Sequence, residues 1–324
     1  MLELDFQWAA AHRTKTAARG FKCVCPSCGG NDVWVTPQTM LGHCFECGAS
    51  YRLVEEGKKQ RPVYTTNKIL PPFDTVSIRR LYSELAEYYH GVLGEEHRRY
   101  LYLRGLTDDV INTFKIGYCP PEHLSVYASR LSRDAGVAGY GSEPWLANRI
   151  VFPYIAEYEI TDMRGRVLAS DDPMRYKSLY HRPERRGAVF PFNHDRAYKR
   201  STETGTLVIT EGELKAIVAD MHGFAVMALP GMLSYRSIIV PPKVRLVVVF
   251  DTDAKQDSNV RVDRAIARMA DRLPPFSVGT LPLFGESKMD IDSFLVHPNG
   301  GVDMFQYIVD HALPYSDYKK YRRF

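Results

Sequence analysis

The chain reads as an α/β protein, α+β overall, in which a parallel-sheet domain follows a mixed helical and β-rich segment and a small β-ribbon. Three observations carry this expectation. Gly205 to Thr210 and Val244 to Phe250 contain unbroken apolar, β-branched runs, the pattern of strands buried on both faces of a parallel sheet. Both runs end in carboxylates, Glu211 after the first and Asp251-Thr-Asp253 after the second. Five of the six cysteines fall between Cys23 and Cys47 in CxxC spacing, which indicates a metal site in a reducing compartment and not a disulfide framework.

With 324 residues, 45% of them hydrophobic and 25% charged, the composition is ordinary globular material with room for two or three domains. A net charge of +4 is only mildly basic, so a polyanionic partner has to be argued from where the charge sits. Met1 to Gly20 carries Asp5, His12, Arg13, Lys15 and Arg19 and no continuous apolar stretch, so no signal peptide is expected. No run approaches the ~18 apolar residues of a membrane span. A cytoplasmic protein with no membrane partner is expected.

Residues 1–20 read as an N-terminal extension and 21–54 as the ribbon. Cys25-Pro-Ser-Cys28 and Cys44-Phe-Glu-Cys47 are separated by fifteen residues. Each pair offers two thiolates from a tight turn, and two pairs close a tetrahedral Zn²⁺ site. About 30 residues bury too little apolar surface to fold alone, whereas structural zinc contributes on the order of 10 kcal/mol or more. Cys23 could replace Cys25 in the shell, but the Cys25/Cys28 spacing mirrors Cys44/Cys47. His43, beside Cys44, could also ligate and is expected to be exposed. Val33-Trp34-Val35-Thr36 alternates as a hairpin strand. Trp34, His43 and Phe45 could stack on unpaired bases, or Trp34 could simply fill the ribbon's small core. Residues 55–75 are polar and Pro-bearing and read as a linker. From Val76 the pattern turns helical through Leu81, Leu85, Tyr88 and Tyr89, then through Tyr100, Leu101 and Leu103 to a stop at Gly105. Thr107 is the expected N-cap of the next helix and Cys119 an inert thiol.

Asn148 to Pro153 opens a β-rich region within the segment 76–200. Residues 161–200 hold ten Lys/Arg (Arg164, Arg166, Arg175, Lys177, Arg182, Arg185, Arg186, Arg196, Lys199, Arg200) against five Asp/Glu. A solvated face is the plain reading. Interleaved Tyr176, Tyr180, Phe190 and Phe192 favour a nucleic-acid track that combines phosphate contacts with stacking. Residues 201–296 form the parallel-sheet domain. Gly212 permits a sharp turn from strand into a helix, Glu211 is placed to face Asp251 on a neighbouring strand, and Glu213 suits a helix N-terminus. Asp251 and Asp253, at i and i+2 of an extended chain, point the same way where open α/β sheets bind ligands. Like charges about 4 Å apart repel by roughly 4 kcal/mol at an effective dielectric of ~20. That invites a divalent cation, and oxygen-only ligation suits Mg²⁺ or Mn²⁺. Ala225 to Leu229 reads as strand, Asn259 to Leu273 as helix and Phe276 to Leu283 as strand. Lys288-Met-Asp290-Ile-Asp292 adds two carboxylates, and residues 297–324 read as a basic, aromatic tail.

A Glu at one strand end, Asp-x-Asp at another and a later Asp-x-Asp make up the acidic pattern of the TOPRIM domain, and the chain before it resembles the catalytic core of DnaG-type primases. Leu101-Tyr-Leu-Arg-Gly-Leu-Thr-Asp-Asp-Val-Ile-Asn-Thr-Phe-Lys-Ile-Gly-Tyr118 is similar to their YL…RGL…FxLGY segment, Arg149-Ile-Val-Phe-Pro153 to their RxxFPI, and Gly165-Arg-Val-Leu168 with Arg175-Tyr176 to their GR…KY. With the ribbon, the likeness covers residues 21 to 296. It implies a TOPRIM parallel-sheet domain, a mixed primase-core subdomain and a small zinc ribbon. The implied activity is nucleotidyl transfer, making short RNA primers from ribonucleoside triphosphates on a single-stranded DNA template. Glu211, Asp251 and Asp253, with Asp290 or Asp292, would be catalytic and hold Mg²⁺ or Mn²⁺. Arg149, Arg166, Arg175, Lys177 and Lys215 would hold nucleic acid or nucleotide, and Cys25, Cys28, Cys44 and Cys47 would hold zinc.

Two departures stand out. Cys28 takes a place where the family usually has His, as in the primase halves of phage primase-helicases. Lys215 stands four residues after Glu211 where the family has Asp, as in TOPRIM proteins of mobile elements, and replaces a second metal ligand with a cation able to hold a phosphate. No Gly-x-x-x-x-Gly-Lys-Ser/Thr loop is present, so a separate replicative helicase is the expected partner and a phage or plasmid the expected source. The alternative function is that of a non-catalytic TOPRIM and zinc DNA-binding mediator of recombination or replication, of the RecR kind. Such proteins lack a counterpart of residues 76–200.

Overall fold

The computed structural model describes residues 2–17, 20–54, 75–121, 146–168, 176–178, 190–231 and 234–321. The chain forms two compact units, Met1–Pro72 and Phe73–Phe324. Among the described residues no helix is long and apolar enough to cross a membrane. Of the expected linker, only Thr75 is described, as the first residue of a helix.

The first unit comprises β1 (Leu2–Asp5), α1 (Phe6–Ala11), β2 (Arg13–Ala17), β3 (Gly20–Cys23), β4 (Val33–Thr36), β5 (Leu41–Cys44) and β6 (Ser50–Val54), in one sheet of order β1-β6-β5-β4-β3-β2. The expected extension is therefore part of the ribbon: β1 runs parallel to β6 and β2 pairs antiparallel with β3. The cause is a shared core, in which Leu4 and Ala9 are buried with Phe21, Val33, Val35, Tyr51 and Leu53. Burial alternates along β4 as the sequence pattern demands, with Val33 and Val35 inside and Trp34 and Thr36 half-buried.

The second unit begins with α2 (Thr75–Gly91), α3 (Glu95–Leu103) and α4 (Asp108–Thr113), followed by β7 (Gly117–Cys119), β8 (Arg149–Ala156), β9 (Glu159–Val167) and β10 (Tyr176–Ser178). Leu81, Tyr82, Leu85, Ala86 and Tyr89 recur along one side of α2 and are buried with Cys119, Val151, Ile160 and Met163. These strands make an antiparallel sheet of order β10-β9-β8-β7. Thr107 caps α4 by accepting from Val110 N at 3.4 Å. Cys119 is buried, and its thiol is pushed up to about 12 by burial, against a hydrogen bond from Tyr89.

The remaining elements are α5 (His194–Thr204), β11 (Thr206–Glu211), α6 (Glu213–Met221), β12 (Val226–Leu229), β13 (Arg245–Val249), β14 (Thr252–Asp253), α7 (Gln256–Ala270), β15 (Phe276–Gly279), β16 (Lys288–Met289), α8 (Ile291–Val296), α9 (Val302–Asp310), β17 (Leu313–Pro314) and α10 (Tyr315–Tyr321). The main sheet has the order β12-β11-β13-β15-β17 and is parallel except for β17. Val208, Val226, Val247 and Val249 pack on one side with Ile217, Phe294 and Phe305. Leu207, Ile209, Leu246 and Val248 pack on the other with Ile266, Met269 and Tyr318. Covering on both faces is why these strands read as continuous apolar runs.

Residues 297–324 do not form a tail apart from the sheet. β17 pairs with β15, and Tyr318 of α10 is buried, its hydroxyl donating to Asp263 Oδ1 at 2.6 Å. The antiparallel and parallel sheets meet at Phe192, whose backbone exchanges hydrogen bonds with Ala228 of β12 at 2.8 and 3.1 Å. The rings of Phe114, Phe152 and Tyr154 surround the Phe192 ring at 5.7, 6.4 and 5.4 Å between centroids.

Candidate active site and metal centre

In the ribbon, Gly29 and Gly48 follow the two CxxC turns at φ of 71° and 76° and donate to the carbonyls of Cys25 and Cys44 at 2.8 and 2.9 Å. These left-handed turns fold each pair back on itself. The sulfur of Cys25 lies 3.6 Å from that of Cys47, and that of Cys28 lies 3.8 Å from that of Cys44, with all four within 4.8 Å of one another. Sulfurs at the ~2.3 Å Zn–S distance have tetrahedral edges of about 3.8 Å, so this set fits Zn²⁺. Cys23 stands outside it, its thiol pushed up to about 11 by burial and then by Cys25. His43 is also outside, its Nδ1 hydrogen-bonded to Ser50 Oγ at 3.1 Å. Trp34 sits directly opposite His43 across β4 and β5, and the His43 and Phe45 rings are 5.1 Å apart.

In the second unit Glu211 ends β11, and Gly212 at φ 95° turns the chain straight into α6. A side chain there would be strained. β13 stops at Val249, whereas Asp253 belongs to β14, which leaves the main sheet to pair with β16 and sets Asp253 opposite Lys288. Asp251 and Asp253 thus do not ride one extended strand as expected. Asp251 Oδ1 accepts from Lys215 Nζ at 2.5 Å, and its Oδ2 lies 2.9 Å from Lys288 Nζ. Asp253 Oδ1 accepts from Lys255 N at 2.7 Å, while Asn259 clamps the Asp253 backbone through bonds of 3.1 and 2.6 Å. Asp290 caps α8, accepting from Ser293 N at 3.1 Å. Asp292 is buried, with Oδ2 accepting from Arg104 Nη1 at 2.7 Å and Oδ1 without a hydrogen-bond partner.

Among the described residues, the cysteine set alone brings three or more potential ligand atoms within 4.8 Å of one another. Glu211, Asp251 and Asp253 do not converge that closely, because β14 departs from the sheet and two ammonium groups occupy Asp251. The electrostatics follow the same layout. Burial raises the pKa of Glu211, with Lys215 opposing and Asp251 adding to the rise. Burial works against the charge of Lys215, but its bond to Asp251 and the nearby Asp290 and Glu211 outweigh this and raise its pKa. Asp292 is pushed up by burial and by Asp290, against the pull of Arg104. The acidic donors are all oxygen, the ligand chemistry that suits a small divalent cation, and the buried oxygen without a partner belongs to Asp292.

β9 and β10 carry the basic residues. Arg166 faces Tyr176 across the strands, and its guanidinium lies 5.5 Å from the Tyr100 ring and 5.7 Å from that of Tyr176. Arg164 stacks on Tyr176 at 4.7 Å and Arg104 on Tyr100 at 5.8 Å. Lys177 is half-buried on β10, opposite Gly165. Arg149, an expected nucleic-acid contact, is buried and donates to the Ala147 carbonyl at 2.8 Å, so it holds the approach to β8. Arg196 and Arg200 are consumed by Asp220, at 2.6 and 2.8 Å. Arg175, Tyr180, Arg182, Arg185 and Arg186 lie outside the described residues.

No protein-family model matches the chain. The DNA primase of Listeria monocytogenes is 26% identical over 256 residues, which is 64% of this chain and 41% of that relative. The DNA primase of Treponema pallidum is 30% identical over 160 residues, 44% of this chain and 26% of the relative. The chain thus spans less than half the length of these curated relatives. The solved zinc-binding and RNA polymerase domains of Aquifex aeolicus primase superpose with a TM-score of 0.60, covering 95% of this chain and 83% of that one at 15% identity. A DnaG primase catalytic domain bound to ssDNA superposes with a TM-score of 0.53, covering 74% of this chain and 80% of that one at 22% identity. The fold is that of DnaG-type primases.

Within this DnaG-type fold the structure adds three residues that sequence reasoning missed. Glu213, expected as an acid favourable to a helix N-terminus, is fully buried; Tyr154 Oη donates to its Oε1 at 2.6 Å and Arg164 Nη1 at 3.3 Å. Arg104 reaches Asp292 across 188 residues of sequence, a pairing that no local pattern announces. Lys288 did carry a signal, since it sits two residues before Asp290. Only the pairing of β14 with β16 shows that it answers Asp251.

Proposed function

We propose that this chain makes short RNA primers, joining ribonucleoside triphosphates by attack of a 3′-hydroxyl on an α-phosphate along a single-stranded DNA template. One observation carries the reading: the helical and antiparallel segment is locked to the acidic helices, Arg104 at the end of α3 on Asp292 of α8 and Arg164 of β9 on Glu213 of α6. An anionic substrate held by the basic strands would then lie beside the acidic cluster. A divalent cation on Asp251 and Asp253 would neutralise the triphosphate and stabilise charge at the transferring phosphoryl group. Lys177 would hold phosphates, Tyr176 would stack beside it, and the Trp34, His43 and Phe45 rings would select template bases, while buried Arg166 supports the Tyr176 ring from below. Zinc on the four cysteines would keep the ribbon folded. A separate helicase would deliver the template.

The test uses zinc-loaded protein, single-stranded templates of varied sequence, labelled ribonucleotides, and Mg²⁺ or Mn²⁺. Wild type is expected to make primers, and Asp253→Asn to lose them by orders of magnitude. Asp253 is the cleaner probe because Asn keeps an oxygen for the Lys255 N–H, whereas Asp251→Asn would strand Lys215. If wild type makes no primer with either metal, or Asp253→Asn matches it, the reading fails and a non-catalytic DNA-binding mediator takes its place.

A further inference from the structure

The second unit answers many of its arginines with carboxylates: Arg98, Arg104, Arg164, Arg196, Arg200 and Arg245 each ion-pair with an Asp or Glu. The helix α7 departs from this habit. Arg261, Arg264 and Arg268 recur along it at spacings of three and four, so at about 100° per residue they fall within an arc of ~60°. That arc lies opposite the side on which Asp263, Ile266 and Met269 are buried. Arg272 follows directly after the helix, its backbone N–H donating to the Met269 carbonyl at 3.0 Å. Arg261, Arg264 and Arg272 are exposed, and among the described residues none of the three is in an ion pair. Asp257 and Asp271, at the two ends of the helix, pair with none of them. Like charges three and four apart weaken a helix, a cost that an anionic partner reverses.

We propose that the outer face of α7 docks a nucleic-acid duplex through the phosphates of one strand. α7 contains no aromatic residue. Unpaired bases are gripped by stacking, so a single strand finds only half of what it needs here, whereas a duplex turns its bases inward and presents phosphates. Arg261 to Arg268 covers about 10 Å of helix axis at ~1.5 Å per residue. That is the length of three phosphates spaced about 3.4 Å along the axis of one duplex strand. Guanidinium forks match phosphate oxygens two at a time, and contacts of this kind hold any sequence alike. The helix is also fixed to the acidic site, since Asn259 bonds the Asp253 backbone at 3.1 and 2.6 Å. The row of arginines therefore starts beside that site and leads away from it. This surface goes beyond the single-strand track of β9 and β10, because it takes strands that are already paired.

The experiment follows binding of the zinc-loaded full chain to a labelled blunt DNA duplex of about 20 base pairs, and to a single strand of the same length, by fluorescence anisotropy between about 50 and 200 mM salt. For Arg261→Gln/Arg264→Gln/Arg272→Gln the salt slope of duplex affinity should shrink by about 2.7, three phosphates at roughly 0.9 each. Its single-strand slope should move by less than ~0.7, the share of one contact. Lysine at the same three positions should keep the duplex slope, because the charge stays. An unchanged duplex slope in the glutamine variant would make the row a solvated face or a dock for an acidic protein. An equal fall for both ligands would make it a single-strand site, and a wild type that binds no duplex would remove the surface altogether. Each of these overturns the proposal. Should the triple variant fail to fold, Arg264→Gln alone decides, with an expected loss of roughly 0.9 in the duplex slope. Primer synthesis plays no part in the readout, so this surface and the proposed function stand or fall separately.

Discussion

Glu213→Gln isolates the ion pair that ties β9 of the antiparallel sheet to α6. Glutamine keeps the volume and an oxygen for the Tyr154 hydroxyl, and removes only the charge. Arg164, whose side chain is 17% exposed, is then left without its carboxylate. Breaking a buried pair costs about 3–5 kcal/mol, and the stack of Arg164 on Tyr176 at 4.7 Å remains to hold the guanidinium. The low end, about 3 kcal/mol, is therefore expected. For a unit of this size, each kcal/mol moves the melting point by roughly 2–4 °C, so the core transition should fall by about 6–12 °C. Scanning calorimetry on zinc-loaded protein measures it. Arg164→Met alone should be destabilising, and the double variant should recover at least ~1.5 kcal/mol relative to the sum of the singles. A drop under ~2 °C for Glu213→Gln, or strictly additive losses in the double variant, would show that Glu213 is only an acid favourable to its helix and that the locking argument is wrong.

Three other outcomes follow from the same geometry. Cys44→Ser/Cys47→Ser should lose its bound zinc by elemental analysis while the unit from Phe73 to Phe324 keeps its melting transition; full zinc retention would remove the four-cysteine site. Lys177→Ala should lower the salt slope of single-strand affinity by roughly 0.7, the share of one phosphate contact, and an unchanged slope would make β10 a merely solvated edge. Asp195 accepts from the backbone N–H groups of Glu157 and Tyr158 at 3.0 and 2.8 Å. Burial opposes ionisation, but the His194 hydrogen bond and these two donors win and hold its pKa below the ordinary value. Its stabilising contribution is thus complete at neutral pH and lost as pH falls through the depressed pKa. Urea midpoints followed from pH 6 to pH 3 should decline more steeply for wild type than for Asp195→Asn, and parallel curves would refute it.

What was legible in the chain was what local pattern encodes. Val247 and Val249 point one way and Leu246 and Val248 the other, so both faces are apolar and the run declares a sheet covered on both sides. The CxxC turns declare their metal because two residues between cysteines bring two sulfurs to one point. Tertiary pairing was not legible. Leu4 and Ala9 carry no mark that assigns them to the ribbon core, and the two-residue strand β17 is too short for any periodicity to show. The acidic site was half readable. Strand ends placed Glu211 and Asp251, but the departure of β14 and the lysines on Asp251 depend on residues 36 and 37 positions away in sequence.

The bridge at Phe192 bears on how such a chain can be recombined. Its ring closes an aromatic cluster from α4 and β8 while its backbone pairs with β12, so one residue belongs to both halves at once. A swap that took the acidic half from Ser201 onward into another lineage would leave this residue behind with its aromatic neighbours, and the edge of β12 would lose its backbone partner. The unit of inheritance for the acidic site is accordingly larger than its sheet, and exchange between related chains should succeed only at breakpoints that keep Phe192 with both Ala228 and Phe114.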